Sequence, residues 1–213
     1  MAWGSGPVRS GEEQDTRRGT AHRSTPHAVP CHHARMAPPQ NLDQRDDWIR
    51  LPESVIGIIS DTHGRAERTE SAVRMLEDAG AELILHLGDV GSDAVLDRLV
   101  DRRVRIVLGN VDPPDLARYA TLLEITVDHP TMRLEVDGRR IGATHGHLSP
   151  ELDRLVAEAP DYLLHGHSHV ARDERIGSTR VLNPGAVHRA AVRSVAILEP
   201  RRDRFEILEL PPD

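Results

Sequence analysis

The sequence predicts an α/β fold in which two mixed β-sheets pack together with helices outside. Two patterns carry that expectation. Residues 55–112 alternate short, continuous apolar runs with stretches of helical spacing, which is how parallel strands joined by helices read. After Pro113-Pro114 the chain turns strand-rich and carries an Asp-Gly hairpin signal.

Taken in order, Val55-Ile56-Gly57-Ile58-Ile59 reads as a strand covered on both faces. Ala72, Val73, Leu76 and Ala79 then recur at helical spacing, and Gly80 is placed to stop the helix. Leu83–Leu87 is a second buried strand. A helix through Val95, Leu96, Leu99 and Val100 leads to a third, Val104–Leu108. Strands are expected next at 122–127 and 132–136, followed by a turn at Asp137-Gly138 and a strand over Arg140–Thr144. A helix at about 150–158 places Leu152, Leu155 and Val156 on one side. Tyr162-Leu163-Leu164 is apolar again, and 179–182, 193–198 and 204–210 complete the strands, the last two as a hairpin across Pro200–Asp203.

Residues 1–50 read differently. Their only Val, Ile, Leu or Phe are Val8, Val29, Leu42 and Ile49, too little apolar surface to offset the entropy of ordering a backbone. A disordered tail over 1–50 and a folded domain over 51–213 are therefore expected. The tail lacks the apolar stretch of a secretory signal. Its Cys31-His32-His33 is read as adventitious, and Met36 offers an alternative start.

Composition excludes several function classes. With aromatics at 2%, the core must be built from Val, Ile, Leu and Ala. The one cysteine, Cys31, leaves no intramolecular disulfide and no CxxC site, and a reducing, cytoplasmic location is the default reading. No apolar run is long enough to span a membrane. The net charge of −7, with 28 acids against 20 arginines in residues 51–213, opposes broad nucleic-acid binding. Arg102-Arg103 and Arg201-Arg202 are the places where a local basic patch could form.

The chemistry-bearing residues each sit beside a glycine or at the end of a short apolar run. The blocks are Ser60-Asp61-Thr62-His63-Gly64, Gly88-Asp89, Gly109-Asn110-Val111-Asp112, His145-Gly146-His147 and Gly166-His167-Ser168-His169. From Asp61 through Asp89, Asn110 and His145 to His167 the spacings are 28, 21, 35 and 22 residues. Any one block has a bland reading: Asp-Thr-His could cap a helix, and Gly-Asp and Gly-Asn are common turns. Five in this order, mixing carboxylate and amide oxygen with imidazole, suit two divalent ions such as manganese, iron, zinc or nickel. Strand ends would bring all five loops to one edge of the sheets.

These blocks resemble the D-x-H, G-D, G-N-x-D, H-G-H and G-H-x-H signature of the calcineurin-like metallophosphoesterase superfamily. Within it they are most similar to the small bacterial and archaeal phosphodiesterases of the YfcE type. The resemblance spans roughly residues 54–210 and implies a four-layer αββα sandwich. It also implies that Asp61, His63 and His169 bind one metal ion and Asn110, His145 and His167 a second, with Asp89 bridging. Two divalent ions are implied, manganese first, with iron, zinc, nickel or magnesium as the other candidates. The implied reaction is hydrolysis of a phosphodiester by in-line attack of a metal-bridging hydroxide, with no covalent enzyme intermediate.

Asp89, Asn110, Asp112 and His147 are the candidate catalytic residues. His147 is placed to meet the phosphate, and Asp112 to orient a ligand or water or simply to cap a turn. His86 and His165 are read as packing or supporting residues, and His188 as an exposed loop histidine. One departure matters. Many superfamily members carry histidine after Gly-Asn and the small subfamily often cysteine, whereas here Val111 can neither donate nor accept a proton. General acid help is worth about 10²–10⁴-fold, so poor leaving groups should suffer most and phosphomonoesterase activity should be weak. The expected substrate is a small phosphodiester or nucleotide, with no membrane partner; a homo-oligomer is compatible with the sequence. The alternative is a metal-binding protein-interaction scaffold on the same fold, as in the retromer subunit. It is disfavoured because all seven ligand positions are retained.

Overall fold

The structure, a computed structural model, describes residues 47–212. The chain forms β1 (Ile49–Leu51), β2 (Ile56–Ile59), helix α1 (Ala66–Asp78), β3 (Leu83–His86), the short helix α2 (Asp93–Leu96) and β4 (Val104–Ile106). It continues through helix α3 (Pro114–Leu122), β5 (Thr126–Val127), β6 (Thr131–Val136), β7 (Arg139–Thr144) and helix α4 (Ser149–Ala157). Strands β8 (Tyr162–His165), β9 (Arg172–Ile176), β10 (Thr179–Asn183), β11 (Ser194–Glu199) and β12 (Arg204–Glu209) complete it.

Two six-stranded mixed sheets result, in the orders β12-β11-β2-β3-β4-β5 and β1-β6-β7-β8-β10-β9. Strands β2 to β5 run parallel, as do β7, β8 and β10. Alternation along each strand sorts the side chains into layers. Ile56, Ile58, Leu83, Leu85, Leu134, Ile141, Leu164 and Leu198 fill the core between the sheets. Ile59, Ile84, Val195 and Ile197 point the other way, onto Ala72, Val73 and Leu76 of α1 and Leu116 of α3. Leu163 and Val181 pack under Leu155 of α4. Helix, sheet, sheet and helix therefore stack in that order. Gly80, at φ +91°, ends α1 in a conformation that side chains rarely adopt. Asp137 and Gly138, at φ 52° and 73°, make the two-residue turn that sets Val136 opposite Arg139.

Several expectations change. The tail lies outside the described residues over 1–46, Cys31-His32-His33 included, but the boundary near residue 50 falls inside β1. There Ile49–Leu51 pair in parallel with Leu134–Val136. Residues 122–127 are not one strand: Pro114 opens α3, which runs to Leu122 and buries Leu116 and Ala120. The helix through 95–100 shrinks to α2 and a 3₁₀ turn. Strand β9 was not anticipated, since Arg172-Asp173-Glu174-Arg175 has no apolar alternation; it is a charged edge strand held by pairing with β10. The local basic patches largely dissolve into ion pairs, Arg102 with Glu70 and Glu77, Arg103 with Glu53, and Arg202 with Glu199. No helix among the described residues is long and apolar enough to cross a membrane.

Candidate metal centre

Every candidate ligand follows the carboxyl end of a parallel strand. Asp61 and His63 follow β2, Asp89 follows β3, Asn110 follows β4, His145 follows β7, and His167 and His169 follow β8. Five of these seven residues, Asp61, His63, Asp89, His167 and His169, hold φ between 45° and 64°. The left-handed region costs a non-glycine residue about 1–2 kcal/mol, so something must hold them there. Cross-loop backbone bonds do so: Asp61 N–H to the Gly88 carbonyl (3.0 Å), His63 N–H to that of Asp89 (2.9 Å) and Gly64 N–H to that of Val90 (2.8 Å).

One cluster is tight. Ligand atoms of Asp61, His63, Asp89 and His169 all lie within 4.8 Å of one another. Asp61 Oδ2 accepts from Ser60 Oγ (2.5 Å) and from the His167 N–H (3.2 Å). Its Oδ1 is buried and accepts no hydrogen bond, although His169 Nε2 stands 3.1 Å away. His169 Nδ1 donates to the Arg189 carbonyl (3.1 Å), which leaves the lone pair on Nε2. His63 Nε2 and His169 Nε2 are 3.3 Å apart. Two imidazole nitrogens at about 2.05 Å from one tetrahedral ion would stand about 3.4 Å apart, so the donor set fits a divalent cation. Burial holds the His63 pKa below the ordinary value despite Asp89 and Asp61 beside it, keeping the ring neutral and able to ligate.

The second set is looser. His145 Nδ1 donates to the Leu87 carbonyl (2.7 Å), turning Nε2 toward Asp89 Oδ1 and Asn110 Oδ1, each 3.3 Å away. Three acceptors thus face one another, and only a proton or a metal cation reconciles them. With a proton there, burial lowers the His145 pKa but the Asp89 carboxylate outweighs it, and the net shift is upward. Burial likewise raises Asp89, but hydrogen bonds from His145 and the Val111 N–H bring it down to about 2. The His167 ring lies 5.1 Å from that of His145 and is exposed, outside the tight cluster. Asp89 touches both sets, with Oδ2 3.7 Å from His63 Nε2 and Oδ1 against His145.

Residues 55–203 match the family of calcineurin-like phosphoesterase superfamily domains. The chain belongs to that superfamily. It is 24% identical over 163 residues to phosphodiesterase MJ0936 of Methanocaldococcus jannaschii, covering 73% of this chain and 98% of that protein. It is 29% identical over 143 residues to phosphodiesterase YfcE of Escherichia coli, covering 60% and 76%. The solved structure of an archaeal phosphodiesterase superposes with a TM-score of 0.66 at 24% identity, over 73% of this chain and 99% of that one, and shares its fold.

Within this superfamily fold, the residues that brace the centre were the least legible. Asp112 Oδ2 accepts from the backbone N–H groups of Gly109 (2.8 Å) and Val90 (3.2 Å), and Oδ1 from that of Gly91 (2.8 Å). These three bonds tie the loop that carries Asn110 to the loop that carries Asp89. Fully buried His86 joins the Thr62 hydroxyl (3.0 Å) to the Gly88 N–H (3.2 Å), the supporting part its apolar strand suggested. Asn183 was missed. Its Nδ2 donates to the Gly166 carbonyl (3.0 Å) and reaches Ser168 Oγ (3.1 Å), while Oδ1 accepts from Gly185 N–H (2.8 Å), fixing the His167–His169 loop. A lone Asn at a strand end gave no signal for this. His147 has a buried Nδ1 without a partner and its ring is 5.3 Å from that of His145. Burial and the charges of His145 and His167 lower its pKa. His165 Nδ1 meets the Gly166 carbonyl at 3.1 Å. Val111 is exposed, offering only its backbone N–H to Asp89.

Proposed function

We propose that this protein is a phosphodiesterase working with two divalent metal ions, manganese first, in a reducing cytoplasmic setting. The observation that carries the proposal is Asp89, whose two oxygens reach the two ligand sets separately. Asp61, His63 and His169 would hold one ion and Asn110, His145 and His167 the other, with Asp89 shared. When bound, two such ions supply Lewis-acid charge and an activated water for in-line displacement at phosphorus.

The chain's own residues do the rest. The backbone bonds around Asp61 and Asp89 preorganise the carboxylates, so little reorganisation accompanies the reaction. His147, kept neutral near pH 7, would meet the phosphate or carry a proton at its free nitrogen. Val111 leaves the Gly-Asn block without a proton donor, so aryl diesters, whose leaving groups need none, should turn over fastest. The ion pairs of Arg102, Arg103 and Arg202 favour a small diester or nucleotide over a long polyanion.

The test is hydrolysis of bis-p-nitrophenyl phosphate by chelator-treated protein with manganese, nickel, zinc or magnesium restored, beside an Asp89→Asn variant. Metal-dependent turnover that falls at least about 100-fold in the variant is expected. Two bound metals without turnover on any diester would favour the scaffold alternative. Folded protein that binds no metal would end the proposal.

A further inference from the structure

Helix α4 buries Leu155 against Leu163 of β8 and Val181 of β10. Its next residue, Val156, is 52% exposed, and so is Ile176, the one apolar side chain of the charged strand β9. Both line a cavity of about 260 Å³ beside α4, together with Leu152, Leu163 and Val181. Arg172 also lines it, but its guanidinium is held by Glu174, at 3.0 Å from Nε and 2.5 Å from Nη2. The cavity therefore offers a mostly apolar wall rather than a charge.

This cavity adjoins the metal centre. Gly146, between the candidate ligand His145 and His147, contributes to its lining, and so does His167. The His167 ring is 5.1 Å from that of His145 and 6.3 Å from that of His147. A phosphate held by the second ligand set therefore has the cavity as neighbour to one of its substituents. Val156 and Ile176 leave apolar surface in water there, which an apolar group in the cavity would cover. At about 260 Å³ the space is smaller than the roughly 300–1,000 Å³ of sites for drug-sized molecules, so it has room for one ring system. Aliphatic walls with the imidazoles of His165 and His167 among them suit an aromatic ring. We propose that this cavity is the subsite for an aromatic substituent of the diester, with Val156 and Ile176 as specificity-determining residues. The phosphate lies over the Asp61–Asp89 centre and the ring sits beside α4. The inference rests on the phosphodiesterase reading of the metal centre.

The test compares wild type with a Val156→Gln/Ile176→Gln variant, both as the manganese-loaded full chain. Both positions are half exposed, so the fold accommodates glutamine. Calorimetry sets phenylphosphonate against methylphosphonate. Wild type should bind the phenyl compound at least about 10-fold more tightly, and the variant no more than about 3-fold. Partial misfolding lowers the active fraction for both ligands alike and leaves the ratio alone. The second readout is kcat/KM for bis-p-nitrophenyl phosphate and for methyl p-nitrophenyl phosphate. Both release p-nitrophenolate, so proton demand at the leaving group is common to them, and the wild-type ratio should exceed that of the variant at least about 3-fold. Equal phosphonate affinities in the wild type, or an undiminished preference in the variant, would overturn the subsite. Turnover of both diesters would then leave the phosphodiesterase reading standing. A phenyl preference lost in the variant, with no turnover of either diester, would keep the subsite and sink the catalytic reading.

Discussion

Lowering the pH should destabilise this protein through His86, and the size of the effect follows from its two hydrogen bonds. Thr62 Oγ1 donates to the Val90 carbonyl (3.1 Å), so at 3.0 Å from His86 it must accept from Nε2–H. Nδ1 accepts from the Gly88 N–H. The neutral ring is thus fully used. Complete burial opposes its charged form, a proton on Nδ1 would also point at another donor, and the pKa falls to about 4. The unfolded chain takes up a proton below about pH 6.5, whereas the folded chain does so only near 4, so stability falls as pH drops through that window. Each pH unit there costs about 1.4 kcal/mol, a total of about 3 kcal/mol against a typical 5–15. Glutamine at this position can donate and accept but does not titrate. Urea unfolding of wild type and His86→Gln, followed by circular dichroism in excess chelator from pH 7 to pH 4, isolates the contribution because the other histidines are common to both. Wild type should lose about 3 kcal/mol more than the variant. Superimposable acid limbs would refute the assignment of a neutral, doubly bonded His86.

Three further outcomes test the bracing of the centre. A Cβ at Gly109 would overlap Asp89 Oδ1, so Gly109→Ala should abolish manganese binding in titration calorimetry while the far-ultraviolet spectrum stays native; a wild-type isotherm would show that the close approach is dispensable. Asp112→Asn forfeits at least one of three backbone N–H bonds to a charged acceptor, and should cost about 2–3 kcal/mol in urea unfolding and weaken metal binding. Val111→His restores a proton donor beside Asn110. It should raise hydrolysis of alkyl diesters by about 10² or more with little gain on bis-p-nitrophenyl phosphate, and equal gains on both would count against leaving-group protonation as the limit.

The sequence by itself determined the strands of both sheet cores and the positions of the candidate ligands. Both are local signals: a continuous apolar run specifies a strand buried on both faces, and the Asp, Asn or His in the glycine-bearing loop just beyond it is carried to the sheet edge. Ile56–Ile59 delivering Asp61, and Leu83–His86 delivering Asp89, needed no knowledge of neighbours. Strand β1 escaped because Ile49 and Arg50 are exposed and the strand is paired only with Leu134–Val136, more than eighty positions away, and β9 because its partner rather than its pattern makes it a strand. What only the tertiary structure decided is which side chains brace the centre and what surrounds it. Asp112 spends its carboxylate on Gly109, Val90 and Gly91. Asn183 reaches back to Gly166, and Arg65 meets His188 across 123 residues. Hydrogen bonds of this kind depend on where two loops meet. That is set by the packing of the two sheets, and no spacing along the chain records it.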